Sequence, residues 1–497
     1  MTEALGVAFL NVISPLHLAM LVAGVLVGLA LGVIPGIGGV TGMAVLLPFT
    51  FDMDPVSSFS FLIGMLAVTT TSDTIPSVLF SVPGTVGSQA TMIDGHAMAK
   101  QGEAGRALGA AFTVSAMGGL FGAVVLTLFI PFLQKLVVIL GSPEFFMMAV
   151  LGVSMVASLS GSTPIKGIIA GAAGFLLAMV GSDPILGVDR WTFDQVYLWD
   201  GISVVPLSLG LFGLAEMADL MVRGTSISDT AITNVKGQWE GIRDGFRHKW
   251  LVIRSSALGV LIGIVPGLGS LVVDWFAYGH ALHTEKNTEK FGHGDIRGVI
   301  APESANNAKE GGGLIPTLAF GIPGSTTMAL FLGAMMIQGL SPGPDMLNTN
   351  LDVTFTIAWS LALANVVGTG TCFLLTGHLA RIATVRSAIL APILVVVMFL
   401  GAFMANRHPG DLILLLVFGH IGWGMKRFGW PRPPMIIGFV LGGVVEKYLY
   451  ISVLTYGRAW LLRPGVVLLI LLTAVIIIYP FVKQQLAHRG ARRNLST

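Results

Sequence analysis

Long runs of apolar residues, separated by short polar stretches, recur from one end of this chain to the other. Allowing roughly 20 residues for each crossing of a bilayer, the pattern predicts about twelve membrane segments, some of them interrupted. The expected fold is therefore an all-α polytopic membrane protein. The apolar runs cover residues 16–34, 41–51, 57–71, 107–130, 145–159, 165–180, 206–221, 251–265, 271–282, 312–320, 326–340, 354–376, 389–404, 412–425, 435–454 and 466–482.

Two motifs of the first half recur, in the same order, in the second half. Gly32–Gly39 reads GVIPGIGG and Gly263–Ser270 reads GIVPGLGS. Ile75–Thr85 reads IPSVLFSVPGT and Ile315–Ser325 reads IPTLAFGIPGS. We interpret one half as a diverged copy of the other. Duplicated apolar helices with Pro-Gly breaks are typical of secondary transporters, whose substrate site lies where the two repeats meet.

The repeat predicts four parts along the chain. Residues 1–221 form a first transmembrane repeat, and residues 222–250 form a polar cytoplasmic linker. Residues 251–455 form a second repeat, and residues 456–497 supply an extra C-terminal helix with a basic tail.

Composition supports the membrane interpretation. Hydrophobic residues make up 54% of the chain, charged residues 11%, and the mean hydropathy is +0.82, whereas soluble domains carry about 25% charged residues. The net charge of +2 gives no reason to expect a nucleic-acid surface, and the single Cys372 excludes an internal disulfide framework. The first residues lack a basic region followed by a cleavage site, so no signal peptide is expected.

The placement of basic residues predicts an orientation. Six Lys or Arg face three acids between Arg223 and Arg254, the tail after Phe481 is basic, and the first fifteen residues contain no base. By the positive-inside rule, the centre and the C-terminus are cytoplasmic and the N-terminus is periplasmic. Each repeat then crosses an odd number of times, so the two repeats are inverted. Arg458 and Arg463 would lie outside and are exceptions to this scheme.

The Pro-Gly motif suggests a binding site made of main chain. Proline interrupts a helix, and a new half-helix that begins near Gly39 or Ser270 directs unpaired N–H groups into the protein. Such groups hold a carboxylate. The alternative is that the glycines only permit a kink or close helix packing, but recurrence in both halves favours binding. The predicted substrate-binding residues of this motif are Gly36, Gly38, Gly39, Gly267, Gly269 and Ser270.

Polar side chains gather around the second motif and add to the predicted substrate site. They can coordinate substrate oxygens, or they can satisfy main-chain groups freed by the helix breaks; both uses stay open. The predicted substrate-binding residues here are Thr85, Asn306, Asn307, Ser325 and Thr326.

Four further residues are expected to couple an ion: Asp73, Ser72, Glu303 and Asp274. A carboxylate inside a membrane segment is costly and commonly serves an ion path. The alternative for Asp73 is a helix cap at the water boundary, and Glu303 falls at the end of a polar loop. Glu216 and Glu446 are explained by an interfacial location.

Enzyme chemistry is not expected. The ten His residues form no HExxH spacing, so no metal site is predicted, and the chain contains no GK dipeptide and hence no Walker A loop.

At these motifs the chain resembles the large membrane subunit of the bacterial tripartite tricarboxylate transporters. The matching stretches are GVIPGIGG, LLPFTFDMDP, VPGT, IDGHAMAKQGEAGRALG, VPGLGS, APESANNAKEGGGLIPTLAFGIPGS and GLSPGP. The resemblance implies a permease of the bacterial inner membrane. It also implies a small membrane subunit and a soluble periplasmic binding protein that delivers an organic acid.

Uptake in that family is driven by an ion gradient, so Na⁺ or H⁺ is the expected coupling ion and no other cofactor is expected. The sequence thus favours ion-coupled import of a di- or tricarboxylate. A passive organic-anion channel and the permease of an ATP-driven importer are the alternatives. Residues 70–74 read TTSDT where many members of the family have a GGSIT-like stretch, which leaves the substrate and the ion undecided.

Overall fold

A computed structural model describes residues 1–35, 37–159, 164–183, 187–223, 236–267, 269–383 and 387–494. These residues are almost entirely helical, which confirms the all-α prediction. The helices of the first half are α1 (Thr2–Ile13), α2 (Pro15–Val33), α3 (Gly38–Leu46), α4 (Pro55–Ser72), α5 (Thr74–Phe80), α6 (Gln89–Lys100), α7 (Ala104–Ile139), α8 (Ser142–Leu159), α9 (Pro164–Ala178), α10 (Val204–Ser208) and α11 (Ala215–Arg223).

The second half continues in the same manner. Its helices are α12 (Gln238–Arg247), α13 (Lys249–Ile264), α14 (Gly269–Thr284), α15 (Arg297–Phe320), α16 (Thr326–Ile337), α17 (Pro344–Leu347), α18 (Leu351–Ala383), α19 (Ser387–Asn406), α20 (Pro409–Arg427), α21 (Pro433–Tyr456) and α22 (Pro464–Asn494). Short 3-10 turns occupy Leu47–Thr50, Val86–Ser88, Val196–Leu198, Thr288–Lys290 and Gly457–Leu462, and a π-helical stretch occupies Leu209–Leu214. Strands β1 (Gly181–Ser182) and β2 (Asp189–Arg190) pair antiparallel.

Within the described residues, six helical stretches are long and apolar enough to cross a membrane, so the chain is a multi-pass membrane protein. They are Pro15–Val33, Pro55–Phe80, Ala104–Ile139, Val204–Val222, Leu351–Ile382 and Pro433–Leu462. Shorter apolar helices accompany them at Thr2–Ile13, Gly38–Thr50, Ser142–Val156, Pro164–Ala178, Thr326–Ile337, Ala391–Asn406 and Pro464–Tyr479.

Helices α4 and α15 form the centre of the molecule. Both are buried along almost their whole length, and α2 packs against α4 as α13 packs against α15. Glycines permit this close approach. A Cβ added at Gly24 of α2 would lie 2.0 Å from a main-chain oxygen of α4, and one at Gly259 of α13 would lie 2.4 Å from a main-chain oxygen of α15.

Both Pro-Gly motifs interrupt a helix, as the sequence indicates. Helix α2 ends at Val33 and α3 begins at Gly38, while α13 ends at Ile264 and α14 begins at Gly269. Gly38 has φ of +54° and Gly267 has φ of +79°. These left-handed conformations are strained for residues with a Cβ, which accounts for glycine there. The division into two inverted repeats stays a prediction.

The polar run before Ile315 differs from expectation. Sequence reasoning began an apolar segment at residue 312 and placed Glu303 in a loop. In the structure, Arg297–Phe320 is one helix that is buried from residue 298 to residue 319. Helices α7 and α13 pack along α15, so its polar side chains find partners inside the protein instead of in water.

Ion pairs join the ends of several helices. Nη1 and Nη2 of Arg190 donate to Glu446 at 2.5 and 3.1 Å, so pairing within the protein explains Glu446 better than the interfacial location expected from the sequence. Nε of Arg463 donates to Oε1 of Glu144 at 2.7 Å. This exception to the charge rule is therefore neutralised by a neighbouring helix. The orientation of the termini stays a prediction, and residues 224–235 of the expected linker lie outside the described ranges.

Candidate functional site

A cavity of about 430 Å³ lies between elements of the two halves. This volume is within the range of small-molecule sites, roughly 300–1,000 Å³. The lining residues are Ile37, Gly38, Gly39, Val40, Thr41, Leu66, Thr69, Thr70, Pro83, Gly84, Thr85, Val86, Gly87, Gln89, Phe212, Glu216, Lys309, Glu310, Thr326, Thr327, Arg432 and Pro433.

Four helices begin at the wall of this cavity. Helix α3 begins at Gly38, α6 at Gln89, α16 at Thr326 and α21 at Pro433, and each of these first residues lines the cavity. The start of a helix carries a partial positive charge, and the starts of α3 and α16 also offer main-chain N–H groups. Helix α21 begins with two prolines, which have no N–H, and the N–H of Ala90 in α6 already donates to Asp274. The main chain therefore makes the cavity attractive to an anion.

The structure brings four of the predicted substrate-binding residues to this cavity: Gly38, Gly39, Thr85 and Thr326. They come from two segments of the first half and one of the second. The Pro-Gly motif of the first half thus supplies part of the wall.

The matching motif of the second half is described only in part. Gly267 is not among the lining residues, and the surroundings of Gly269 lie outside the described parts of the structure. The N–H of Gly267 donates to the carbonyl oxygen of Gly324 at 3.1 Å, so it serves the loop before α16. Gly36 and the side chain of Ser270 lie outside the described parts of the structure.

The predicted polar side chains divide between packing and the site. Ser325 caps α16 by accepting the N–H of Met328 at 3.2 Å. Nδ2 of Asn307 donates to Thr71 at 2.8 Å and to Asn365 at 3.0 Å, away from the cavity wall. The neighbouring Asn306 accepts a hydrogen bond from Nζ of the cavity-lining Lys309 on both its main-chain and side-chain oxygens.

Asp73 lies fully buried at the break between α4 and α5. It occupies the position before α5, but its side chain caps no N–H group there, which disfavours the helix-cap alternative. The hydroxyl of Thr85 donates to its Oδ2. No described residue forms a hydrogen bond with its Oδ1.

Glu303 is the second fully buried acid of this region. Ser115 donates to its Oε2 at 3.3 Å. The hydroxyl groups of Thr74 and Thr91 lie near enough to interact with this carboxyl group, although Oε1 has no hydrogen bond of ordinary geometry among the described residues. The charge of Glu303 is close enough to interact with that of Asp73. Two carboxyl groups that interact in a buried setting, each with an unpartnered oxygen, can accept a proton or a cation.

The other two predicted ion-coupling residues differ from this pair. Asp274 accepts the main-chain N–H groups of Ala90 and Trp275 at 3.0 and 2.9 Å, and so fixes the start of α6. Ser72 is buried beside Gly32, where a Cβ would lie 2.1 Å from the Ser72 hydroxyl. Among the described residues, no group of three or more His, Cys, Asp or Glu side chains could hold a metal ion.

Sequence reasoning missed the charged residues of the cavity wall. Lys309 and Glu310 come from α15, and their side chains are 3.1 Å apart. Arg432 precedes α21, and its Nη2 donates to Oε1 of Glu216 at 2.6 Å. Glu216 is therefore a cavity residue with a basic partner, and its interfacial location stays a prediction. A lysine such as Lys309, next to an apolar segment, could have been recognised from sequence as a candidate site residue. Arg432 could not, because in the sequence it looks like an ordinary basic residue of a turn.

Comparison with known proteins identifies the family. The family model described as "Tripartite tricarboxylate transporter TctA family" matches residues 18–437. The chain belongs to this family. A similar protein of Agrobacterium vitis, named "Uncharacterized 52.8 kDa protein in TAR-I ttuC' 3'region", is 34% identical over 445 residues, which cover 90% of this chain and 88% of the relative. A second Agrobacterium vitis protein, "Uncharacterized protein in TAR-II ttuC' 3'region", is 35% identical over 191 residues, or 38% of this chain and 79% of the relative.

No solved structure matches the chain. Membership of the TctA family makes the chain a component of a tripartite tricarboxylate transporter, which includes other subunits. The TctA family is a family of membrane transporters and not of enzymes. The resemblance seen in the sequence motifs is therefore confirmed.

Proposed function

We propose that this chain carries a small di- or tricarboxylate through the cavity between its two halves, driven by a gradient of Na⁺ or H⁺. A soluble periplasmic binding protein delivers the substrate, and a small membrane subunit completes the transporter in the bacterial inner membrane. The observation that carries this proposal is the convergence of four helix starts and two basic side chains on one cavity.

The cavity suits an anion for two independent reasons. The helix starts contribute positive dipole ends, and those of α3 and α16 contribute main-chain N–H groups as well. Lys309 and Arg432 contribute positive charges, each paired with an acid of the same wall, Glu310 and Glu216. The hydroxyl group of Thr326 adds a donor from the second half of the chain. A polycarboxylate offers several acceptor groups to these spaced donors, whereas a monocarboxylate offers one.

Ion coupling is supported by the imbalance of buried charge around α15. Asp73, Asp274, Glu303 and Glu310 are all buried, and Lys309 is the one Lys or Arg of the buried class among residues whose burial is described. Buried carboxylates need compensating charge. A transported cation or proton, bound where Asp73 and Glu303 present unpartnered oxygens, would supply it.

Thr85 connects the two proposed sites. It lines the cavity while its hydroxyl binds the carboxyl group of Asp73. A cation that binds Asp73 competes with this hydrogen bond. Loss of the bond would change the position of the Thr85 hydroxyl on the cavity wall. This direct contact is a physical route for the reciprocal effect that coupled binding requires.

The experiment that tests the proposal is uptake of labelled citrate into proteoliposomes that hold this chain and its small partner. Uptake is measured with and without the binding protein, under an imposed Na⁺ or proton gradient. We expect accumulation above the external concentration that requires the binding protein and one of the gradients. Equilibration without a gradient would indicate a channel, and a requirement for ATP would indicate an ATP-driven importer; either result overturns the proposal.

A variant separates the coupling role from substrate binding. Asp73→Asn is expected to keep membrane insertion and citrate binding but to lose gradient-driven accumulation. Asp411→Asn is the matched control, since Asp411 is equally buried but bonds Tyr197 at 2.7 Å and does not line the cavity. Accumulation by Asp73→Asn at the level of the control would remove Asp73 from the coupling role.

A further inference from the structure

Arg432 occupies an unusual position on the cavity wall, immediately before the first turn of α21. Its Nη2 donates to Oε1 of Glu216 at 2.6 Å, and its Nη1 donates to the carbonyl oxygen of Leu211 at 3.1 Å. The guanidinium group lies 5.2 Å from the ring centre of Phe212. These three contacts fix the plane of the guanidinium group, and a fixed plane is what paired hydrogen bonding to a carboxylate requires.

The carbonyl of Leu211 that accepts from Arg432 belongs to an unusual stretch of backbone. Residues Leu209–Leu214 form a π-helical stretch between α10 and α11. A π stretch changes the hydrogen-bond register of a helix, and such stretches are frequent at functional sites. Here the stretch places Phe212 and, one turn later, Glu216 on the cavity wall beside Arg432.

Glu216 has a second cationic partner. Its Oε2 accepts a hydrogen bond from Nζ of Lys426 at 2.7 Å, and the same Nζ donates to Oδ2 of Asp219 at 2.6 Å. Lys426 is not among the cavity-lining residues. Glu216 can therefore leave Arg432 without becoming an unpaired buried charge, which would be costly.

We propose that Arg432 is the residue that binds a carboxylate group of the substrate, and that Glu216 occupies this position while the cavity holds no substrate. Substrate binding is then an exchange of one carboxylate for another on Arg432, while Lys426 retains Glu216. The exchange conserves the charge-assisted hydrogen bonds on both sides. Lys309, on α15, pairs with Glu310 on the same wall and offers a second base for the same kind of exchange, so the ligand class is a di- or tricarboxylate.

This inference rests on the proposed function, and direct binding measurements test it. The purified full-length chain in detergent is titrated with citrate and with succinate, and the Kd is measured by calorimetry. Glu216→Gln removes the charge of the competing group, so we expect binding about 10-fold tighter. Arg432→Lys keeps the charge but loses the planar fork, and we expect binding about 10-fold weaker or worse.

A control separates binding from structural support. Arg254→Gln breaks an ion pair with Glu285 outside the cavity, and its Kd should stay within about threefold of the wild-type value. Lys426→Gln should weaken binding, because Glu216 then has no second cation when it leaves Arg432. Thermal stability without ligand is measured for all variants. A merely structural Glu216 would lower both stability and affinity in Glu216→Gln, whereas the exchange predicts tighter binding even if stability falls.

Each outcome decides between the two claims. If the wild-type chain binds neither citrate nor succinate, the proposed function fails and this inference fails with it. If the wild type binds but Glu216→Gln does not bind more tightly, or Arg432→Lys leaves Kd unchanged, the exchange alone is refuted.

Discussion

Gly84 offers a sharp test of the contact between the cavity wall and the buried carboxyl group. It lies in the loop between α5 and α6, beside the helix break at Asp73. A Cβ added at Gly84 would lie 2.6 Å from both Cα and the carbonyl oxygen of Asp73 and 2.8 Å from its Cβ. Ordinary contacts begin at 3.4 Å, so Gly84→Ala must separate the loop from the break by about 1 Å.

The cost follows from what has to move. The atoms that clash belong mainly to the main chain, which cannot yield by a change of rotamer, so overpacking costs about 1–3 kcal/mol. The displacement also carries Thr85 away from Asp73 and weakens their hydrogen bond, which adds about 1 kcal/mol. Together these terms amount to about 2–4 kcal/mol, or at least a 10-fold loss in any step that needs the intact contact.

Two assays check this prediction. Thermal unfolding in detergent and citrate uptake in proteoliposomes should both be impaired in Gly84→Ala. Gly370→Ala is the matched control, because a Cβ at this position of α18 meets nothing within 4 Å and alanine favours a helix. Thr85→Val removes the hydroxyl without the clash and should impair uptake with a smaller loss of stability. Equal behaviour of Gly84→Ala and Gly370→Ala would refute the reasoning.

Three further predictions concern acidic residues that hydrogen-bond to loops or to basic side chains. Asp94→Asn should lower stability by about 1–3 kcal/mol in thermal unfolding, because this buried carboxylate accepts two main-chain N–H groups of the loop before α15. Burial raises the pKa of Asp295, but hydrogen bonds from Arg297 outweigh burial and hold the pKa below the ordinary value of 3.8. The ionised Asp295 therefore stabilises the folded state above about pH 4, and this stabilisation is lost as the pH falls through the lowered pKa. Asp295→Asn should make the free energy of unfolding depend less on pH in this acid range. Arg463→Gln should lower thermal stability by leaving the buried Glu144 without its cation, and adding Glu144→Gln should restore part of the loss.

The Pro-Gly motifs could be interpreted from sequence because their effect is local. Proline stops a helix within one turn wherever it lies, so the breaks before Gly38 and Gly269 did not depend on the rest of the fold. Gly38 and Thr85 each belong to a Pro-Gly motif, and the sequence therefore predicted both as binding residues. The structure places both on the cavity wall. The Pro-Gly motif of the second half shows the limit of this reasoning. Its Gly267 donates to the loop before α16 and does not line the cavity.

The charged wall of the cavity could not be predicted in this way. Arg432 and Glu216 are more than 200 residues apart and meet only because α20 packs against the π-helical stretch. Likewise, the polar composition around Glu303 indicates a loop when read alone. Burial of α15 by α7 and α13 overrides that local signal, because tertiary contacts decide whether a polar helix lies in water or in protein.

The acidic residues of the structure fall into two groups, which differ in whether a basic partner lies at hydrogen-bond distance. At the helix ends, acids such as Glu144 and Glu446 have a basic partner at hydrogen-bond distance, so their burial is compensated within the chain. At the centre, Asp73 and Glu303 each keep an oxygen without a hydrogen bond of ordinary geometry among the described residues, and neither forms an ion pair there. An uncompensated carboxyl group inside a membrane protein is destabilising unless something else completes it. Under the proposed mechanism that completion comes from the transported cation or proton, which makes the stability of this centre depend on the ion it carries.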